Sequence, residues 1–214
     1  MPISPSLPDA ASSLMLRLRE GTADLHTKAE GHRFQTALVR GETPTIDYVR
    51  WLAQMLAVHE TLENALVAER SVRPQWTSVV RDDLLQAPRL RDDLRLLGSD
   101  PASVAIVPAA ATFRDRIVHM REHDAIALLG VLYVLEGSKN GNRFIARALR
   151  RRTAEDAPGF SYLDPHGEAQ RPLWLEFKRE MDALGVSPAE SDAILGAARE
   201  TFQAVTHISD DLTN

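Results

Sequence analysis

One segment of the chain, residues 126–142, constrains the fold more than any other. It begins with the apolar run Ile126-Ala-Leu-Leu-Gly-Val-Leu-Tyr-Val-Leu135 and then places Gly137 and Gly141 one helical turn apart. A glycine inside a helix costs about 1 kcal/mol relative to alanine, and residues at i and i+4 lie on one helix face. The pattern therefore predicts a core helix with one bare face, which a second helix or a flat ligand approaches closely.

Helical periodicity also dominates the rest of the sequence, and no segment alternates as a strand does. One helix is predicted over residues 12–30. A long second helix opens at Thr43-Pro44, a capping residue followed by proline in the first turn. Apolar residues over 76–84 predict a third helix, and Ser187-Pro-Ala-Glu190 is a capping box that opens the last one. We therefore predict an all-α protein.

Composition and charge narrow the class of protein. The chain has 214 residues, of which 44% are hydrophobic and 26% charged, as is usual for one globular domain. We assign this domain to residues 13–209, with a disordered N-terminus over 1–12 and a short tail over 210–214. The net charge of −5 gives no electrostatic basis for binding nucleic acid.

Features that the sequence lacks bear on location and redox chemistry. The N-terminus has neither the basic nor the apolar part of a secretory signal. The longest apolar run is about half of the roughly 20 residues that span a bilayer. The chain has no cysteine, which excludes disulfides, thiolate ligands and a cysteine nucleophile. We therefore predict a cytoplasmic protein that does not insert into membranes.

His26 is the histidine most suited to binding a metal. It lies in Leu25-His-Thr-Lys-Ala-Glu30, on a helix whose face is otherwise apolar. A neutral imidazole there binds iron through one ring nitrogen while the other donates to a neighbour such as Glu30. A histidine that faces a helix notched by two glycines is the arrangement that a sandwiched haem requires.

A non-haem diiron oxidase is an alternative interpretation. His119 and His123 share a helix face, and Glu122 adds a carboxylate. His59 and Glu63 repeat the same spacing in the second helix, so that a metal site between helices is conceivable. The chain lacks the repeated Glu-x-x-His pairs of such sites, and the haem interpretation is therefore favoured. A helical interaction protein is the background alternative.

Two segments together resemble haem oxygenases, especially the bacterial type associated with phytochromes. Leu18-Arg-Glu-Gly-Thr-Ala-Asp-Leu-His26-Thr-Lys-Ala-Glu resembles the proximal helix of that family, and Leu128-Leu-Gly-Val-Leu-Tyr-Val-Leu-Glu-Gly-Ser138 is similar to its distal helix. The resemblance extends over roughly residues 16–202. It implies a single-domain helical bundle that clamps haem between the two helices.

The resemblance also implies a reaction. Haem is both cofactor and substrate, and its ring is opened to biliverdin with release of carbon monoxide and ferrous iron. The reaction uses O2 and electrons from an external donor, a reductase or a ferredoxin. In this chain His26 corresponds to the axial ligand of the iron. Gly137 and Gly141 correspond to the glycines that let the distal backbone approach the ring.

Further site residues are implied in the same way. Ser138 matches a serine of the bacterial members, while Arg19 and Lys178 fall where basic residues often meet the haem propionates. Phe202 matches an aromatic residue that packs near the ring. Judged by spacing alone, Trp174, Phe177 and Phe202 are typical of a core.

The distal segment departs from the family pattern. It reads Gly137-Ser-Lys-Asn-Gly-Asn142, in which Asn140 replaces an apolar residue and Asn142 replaces a small one. Asn142 brings an amide to the distal surface and joins the predicted catalytic residues. This change supports a second hypothesis, a haem-binding or sensor protein of the same fold without turnover.

Overall fold

The helical periodicity of the sequence is realised in the computed structural model, which describes residues 13–151 and 158–213. No strand occurs in these two ranges. The predicted N-terminal segment, residues 1–12, lies outside them. In chain order the helices are α1 (Leu14–Gly21), α2 (Ala23–Glu30), α3 (Arg33–Arg40), α4 (Thr45–Val72), α5 (Ala87–Leu96), α6 (Pro108–His123), α7 (Leu128–Arg150), α8 (Gln170–Ala183) and α9 (Pro188–Thr213).

The contact between α7 and α9 organises the core. A Cβ placed on Gly130 would lie 2.1 Å from the carbonyl oxygen of Ile194 and 2.8 Å from the backbone nitrogen of Ala198. The two backbones therefore touch, and only glycine permits this distance. On α7, Leu128, Leu129 and neighbouring apolar side chains are completely buried, so that the helix forms the centre of the bundle.

Local signals explain several helix ends, one of which was predicted. The Ser187 backbone N–H donates to the Glu190 carboxylate at 2.8 Å, and the Glu190 N–H donates back to Ser187 Oγ at 3.3 Å. This is the predicted capping box of α9. Gly98 and Gly185 follow α5 and α8 with φ of 78° and 62°, the left-handed conformation that ends helices and favours glycine.

The predicted third helix is wrong. Residues 76–84 contain only turns, with short 3-10 segments at Pro74–Trp76 and Asp82–Leu84. The apolar side chains are buried as a helical pattern requires, but isolated turn hydrogen bonds and a bond from another helix replace a continuous helical ladder. The Trp76 carbonyl accepts from the N–H of Val80 at 2.7 Å, and Arg70 of α4 donates to the Val80 carbonyl at 2.7 Å.

Three other boundaries differ from the predictions. The first helix is interrupted at Thr22, whose hydroxyl donates to the Leu18 carbonyl at 2.7 Å, and α3 is a separate short helix. Pro44 is the N-cap of α4, and its carbonyl accepts from the N–H groups of Asp47 and Tyr48. Thr43 lies one residue before the cap and makes no capping bond. Residues 210–213 continue α9 instead of forming a tail, since Leu212 packs into the core.

None of the helices in the described ranges combines the length and the apolar character needed to cross a membrane.

Candidate functional site

A cleft of about 760 Å³ opens between α2 and α7. Such a volume is in the range of roughly 300–1,000 Å³ that is typical of small-molecule sites. Side chains of α3, α8 and α9 line it as well, and Trp51 and Met55 of α4 add an apolar surface. The cleft thus lies between the two segments that the sequence singled out.

His26 lies on the α2 side of the cleft. Its side chain is 54% exposed, and its Nδ1 is 3.4 Å from a carboxylate oxygen of Glu30. The ring meets Phe202 of α9 edge-on, with centroids 5.6 Å apart. Within the described part of the chain, no group forms a hydrogen bond with Nε2 of His26. An oriented imidazole with one free nitrogen therefore faces the cleft.

The opposite wall is a turn and a half of α7 that carries Gly137, Ser138, Gly141 and Asn142. The Ser138 hydroxyl donates to the Leu135 carbonyl at 2.7 Å, which leaves its oxygen as an acceptor. Asn142 Nδ2 is 3.5 Å from that oxygen and donates to it. The structure thus brings all four predicted distal residues to one surface, with a linked hydroxyl and amide.

The two glycines of this wall differ in what covers them. A Cβ on Gly141 would meet no atom within 4 Å, so the backbone is open to the cleft. A Cβ on Gly137 would lie 3.3 Å from the indole of Trp174. Trp174 was predicted to be a core residue, but it lines the cleft, whereas Phe177 is buried as predicted.

These residues fit a flat, largely apolar ring with a central iron. Gly141 supplies an open backbone surface, and His26 supplies an imidazole nitrogen, the kind of group that binds haem iron in proteins. The sequence profile of a family described as "Heme oxygenase" matches residues 12–211 of the chain. The chain belongs to the haem oxygenase family.

A bacterial relative supports this placement. A haem oxygenase of Xanthomonas campestris pv. campestris (strain 8004) is 36% identical over 118 residues, or 52% of this chain. The match spans 60% of the relative, which is less than two thirds of its length.

Solved haem oxygenase structures share the fold. The enzyme from Leptospira interrogans superposes with a TM-score of 0.84 at 24% identity, over 92% of this chain and 98% of that one. The haem complex of haem oxygenase-1 from Synechocystis sp. PCC6803 gives 0.84 at 19% identity, over 94% and 92%. At these identities the likeness concerns the fold, and it confirms the predicted haem-oxygenase-like bundle.

The two basic residues assigned to the propionates do not line the cleft. Arg19 is exposed on α1, where its charge acts on Tyr133, a residue of the cleft wall. Lys178 is half-buried on α8, one turn beyond Trp174. Their role in holding propionates stays a prediction.

Helix α3 contributes a wall that the sequence analysis missed. Gln35, Thr36, Val39 and Arg40 lie along one side of it and line the cleft. Among the described lining residues, Arg40 is the one arginine or lysine. In the sequence, α3 is indicated by its two buried residues, Phe34 and Leu38, which are spaced at i and i+4. The helix is only eight residues long, so this periodic pattern is short.

A buried polar network lies behind one end of the cleft. Tyr162, which lines the cleft, shares a hydrogen bond of 3.2 Å between its hydroxyl and His59 Nε2. His59 Nδ1 is 3.0 Å from Glu63, and the Glu63 carboxylate also accepts from the N–H groups of Gln86 and Ala87. Burial, and then the Glu63 charge, raise the pKa of Tyr162 well above its usual value.

This network bears on the diiron interpretation, because it contains two of the residues proposed as iron ligands. His59 and Glu63 are hydrogen-bonded to each other and to the groups named above. His119 lies on the exposed side of α6, where its Nδ1 is 2.9 Å from Arg116 and its ring stacks on His123. In residues 13–151 and 158–213, no three histidine, aspartate or glutamate side chains are placed to hold one metal ion. The diiron interpretation is therefore wrong.

The segment that contains the two departures from the family pattern has residues on both sides of α7. Lys139 points away from the cleft and pairs with Glu136 at 2.6 Å, and both are buried. Burial lowers the pKa of Lys139, against the raising effect of the Glu136 charge. Asn140 and Asn142 lie on the cleft side, where Asn140 donates to the Gly137 carbonyl at 3.0 Å.

Proposed function

We propose that this protein binds haem between α2 and α7 and opens it oxidatively to biliverdin, with release of carbon monoxide and ferrous iron. The reaction takes up O2 and electrons from an external reductase or ferredoxin. Bound haem supplies the iron that activates O2 and the meso carbon that is oxidised. The observation that carries the proposal is His26, with a free ring nitrogen, opposite the open backbone of Gly141 across one cleft.

On the proximal side, the chain orients the imidazole. The Glu30 carboxylate beside Nδ1 favours the tautomer with the proton on that nitrogen, which directs the Nε2 lone pair away from Glu30. The Phe202 ring limits rotation of the imidazole by its edge contact. His26 would therefore hold the haem iron through Nε2, with Phe202 as an apolar support beside it.

On the distal side, α7 offers hydrogen-bonding groups instead of bulk. The Ser138 oxygen is an acceptor, and the Asn142 amide has a second N–H and a carbonyl that the described residues do not use. With haem bound, these groups would orient water and O2 at the wall, while Gly137 and Gly141 keep the backbone accessible. We propose these four residues as the catalytic surface.

Tyr162 and His59 form a hydrogen-bonded support at one end of the cleft. An ionised Glu63 can only accept, so His59 carries its proton on Nδ1 and accepts at Nε2. The Tyr162 hydroxyl then donates inward to His59 and leaves its oxygen lone pair toward the cleft.

Titration with hemin followed by reduction tests the proposal. We expect a Soret band typical of histidine-ligated haem, which ferredoxin, its reductase and NADPH in air convert to biliverdin. A stable band without biliverdin identifies the second candidate, a haem-binding or sensor protein, which the cleft-facing amide of Asn142 favours. The absence of any Soret band contradicts both.

A further inference from the structure

The indole of Trp174 lies where a flat ligand would cover the first glycine of the α7 wall. Three of its ring carbons are within 3.3 to 3.8 Å of the Cβ position of Gly137. The equivalent position of Gly141 is open. A ring laid over both glycines would therefore overlap the indole at one end and meet only backbone at the other.

Packing on two sides holds the indole in this place. Trp174 stacks on Phe177, with centroids 5.5 Å apart and planes inclined by 17°. Its other neighbour is Tyr133 of α7, at 6.0 Å. Phe177 is itself buried in the core, so the stack is anchored to the bundle. Moving the indole aside breaks both aromatic contacts, whereas a ligand displaced toward Gly141 breaks neither.

We propose that Trp174 is a specificity-determining wall: its indole seats the substrate ring toward Gly141, with one ring edge against the indole. This inference rests on the proposed function, with haem as substrate. The four meso carbons lie between the pyrroles around the ring, so in-plane seating decides which of them is closest to the distal wall. Trp174 thereby selects the biliverdin isomer.

The experiment compares wild type with Trp174→Ala, Trp174→Phe and the control Leu175→Ala, which truncates the neighbouring exposed side chain of α8. Seating is measured from the haem-methyl NMR signals of the ferric cyanide complex, and the products by separation of biliverdin isomers. Trp174→Ala should add a second seating and shift the isomer ratio by about threefold to tenfold, as expected for one lost aromatic contact. Trp174→Phe should give a smaller shift, and Leu175→Ala none.

The outcomes separate this inference from the proposed function. If all four proteins show a histidine-ligated haem spectrum and the same seating of the ring, the inference about Trp174 is wrong while the proposed function stands. Failure of the wild type to bind hemin overturns the proposed function and the wall together. If Trp174→Ala does not fold, as circular dichroism will show, Trp174→Phe decides, because it keeps an aromatic ring in the stack. Wild-type seating in that variant then overturns the wall.

Discussion

Several side chains in the cleft have bonding capacity that the protein itself does not use. His26 has a free Nε2, and Asn142 has an unused carbonyl and N–H in the described part of the chain. Most buried polar groups find partners, so groups left open toward a cavity are candidates for contacts with a ligand. His26 and Asn142 lie on opposite walls of the cleft, and a substitution of each tests its contact with the ligand.

His26→Ala removes the proposed axial ligand. We expect the hemin complex to lose its histidine-ligated spectrum, while the fold stays intact because the side chain is half exposed. The matched control is His207→Ala, an exposed histidine of α9 that does not line the cleft. Absorption and electron paramagnetic resonance spectra check the ligation. An unchanged spectrum in His26→Ala would refute the assignment.

Asn142 tests whether the altered distal segment contributes to the reaction. Asn142→Leu removes the amide at similar volume, and loss of one hydrogen bond of about 1 to 3 kcal/mol slows biliverdin formation by about 5- to 150-fold. Asn142→Gly restores the small residue that the family pattern has at this position. Single-turnover rates with hemin check both variants. Equal rates in all three proteins mean that Asn142 has only a structural role, whereas turnover only in Asn142→Gly identifies a haem binder that has lost the reaction.

Helices meet at distances that particular glycines set. The position of α7 against α9 depends on Gly130, because any side chain there would strike the backbone of α9. Since α7 also carries the distal wall, this contact fixes the wall relative to the bundle. The position of the wall thus depends on the contact between two helices, and no residue of the cleft takes part in that contact.

Gly130→Ala should destabilise the protein strongly. Its Cβ would lie 2.1 Å from the Ile194 carbonyl oxygen, and backbone atoms cannot move aside as a flexible side chain can. We expect the free energy of unfolding to fall by about 3 kcal/mol, the upper part of the range for overpacking. The control Gly196→Ala, also helical but with nothing within 4 Å of its Cβ, should gain roughly 0.5 to 1 kcal/mol. Urea denaturation measures both, and equal stabilities would contradict the close contact.

Across the whole molecule, buried carboxylates connect segments that are far apart in the chain. Glu63 of α4 binds the N-terminus of α5 and also His59. Asp93 of α5 is completely buried and accepts from the N–H groups of Ser161 and Tyr162. Together these bonds hold the irregular segment that brings Tyr162 to the cleft.

Asp93→Ala should release that segment. The substitution leaves the buried N–H of Tyr162 and the half-buried N–H of Ser161 without an acceptor. An unpaired buried group costs about 1 to 3 kcal/mol, so we expect the free energy of unfolding to fall by about 3 kcal/mol. Hemin affinity should fall as well, because Tyr162 loses its support. Asp92→Ala is the control, since it removes only an exposed pair with Arg95 and should change stability by less than about 1 kcal/mol. Similar effects of the two substitutions on urea denaturation would exclude the proposed anchoring.

The sequence by itself determined the features that depend on near neighbours. Hydrogen bonds within four residues and side-chain periodicity define a helix, so α7, its bare glycine face and the capping box at Ser187 were predictable. The same reasoning failed over residues 76–84, where burial imitates a helical pattern but Arg70 satisfies the backbone from another element.

The tertiary structure alone decided which distant residues share the cleft. Tyr162 and His59 are separated by 103 positions, and Trp174 and Gly137 by 37, so no local pattern relates the members of either pair. The predicted His26 and α7 residues do meet across the cleft, whereas Arg19 and Lys178 lie outside its lining and Arg40 lies within it. Helix propensity is encoded by adjacent side chains, but the packing of helices depends on close contacts such as that of Gly130 with α9, which bring remote parts of the chain together.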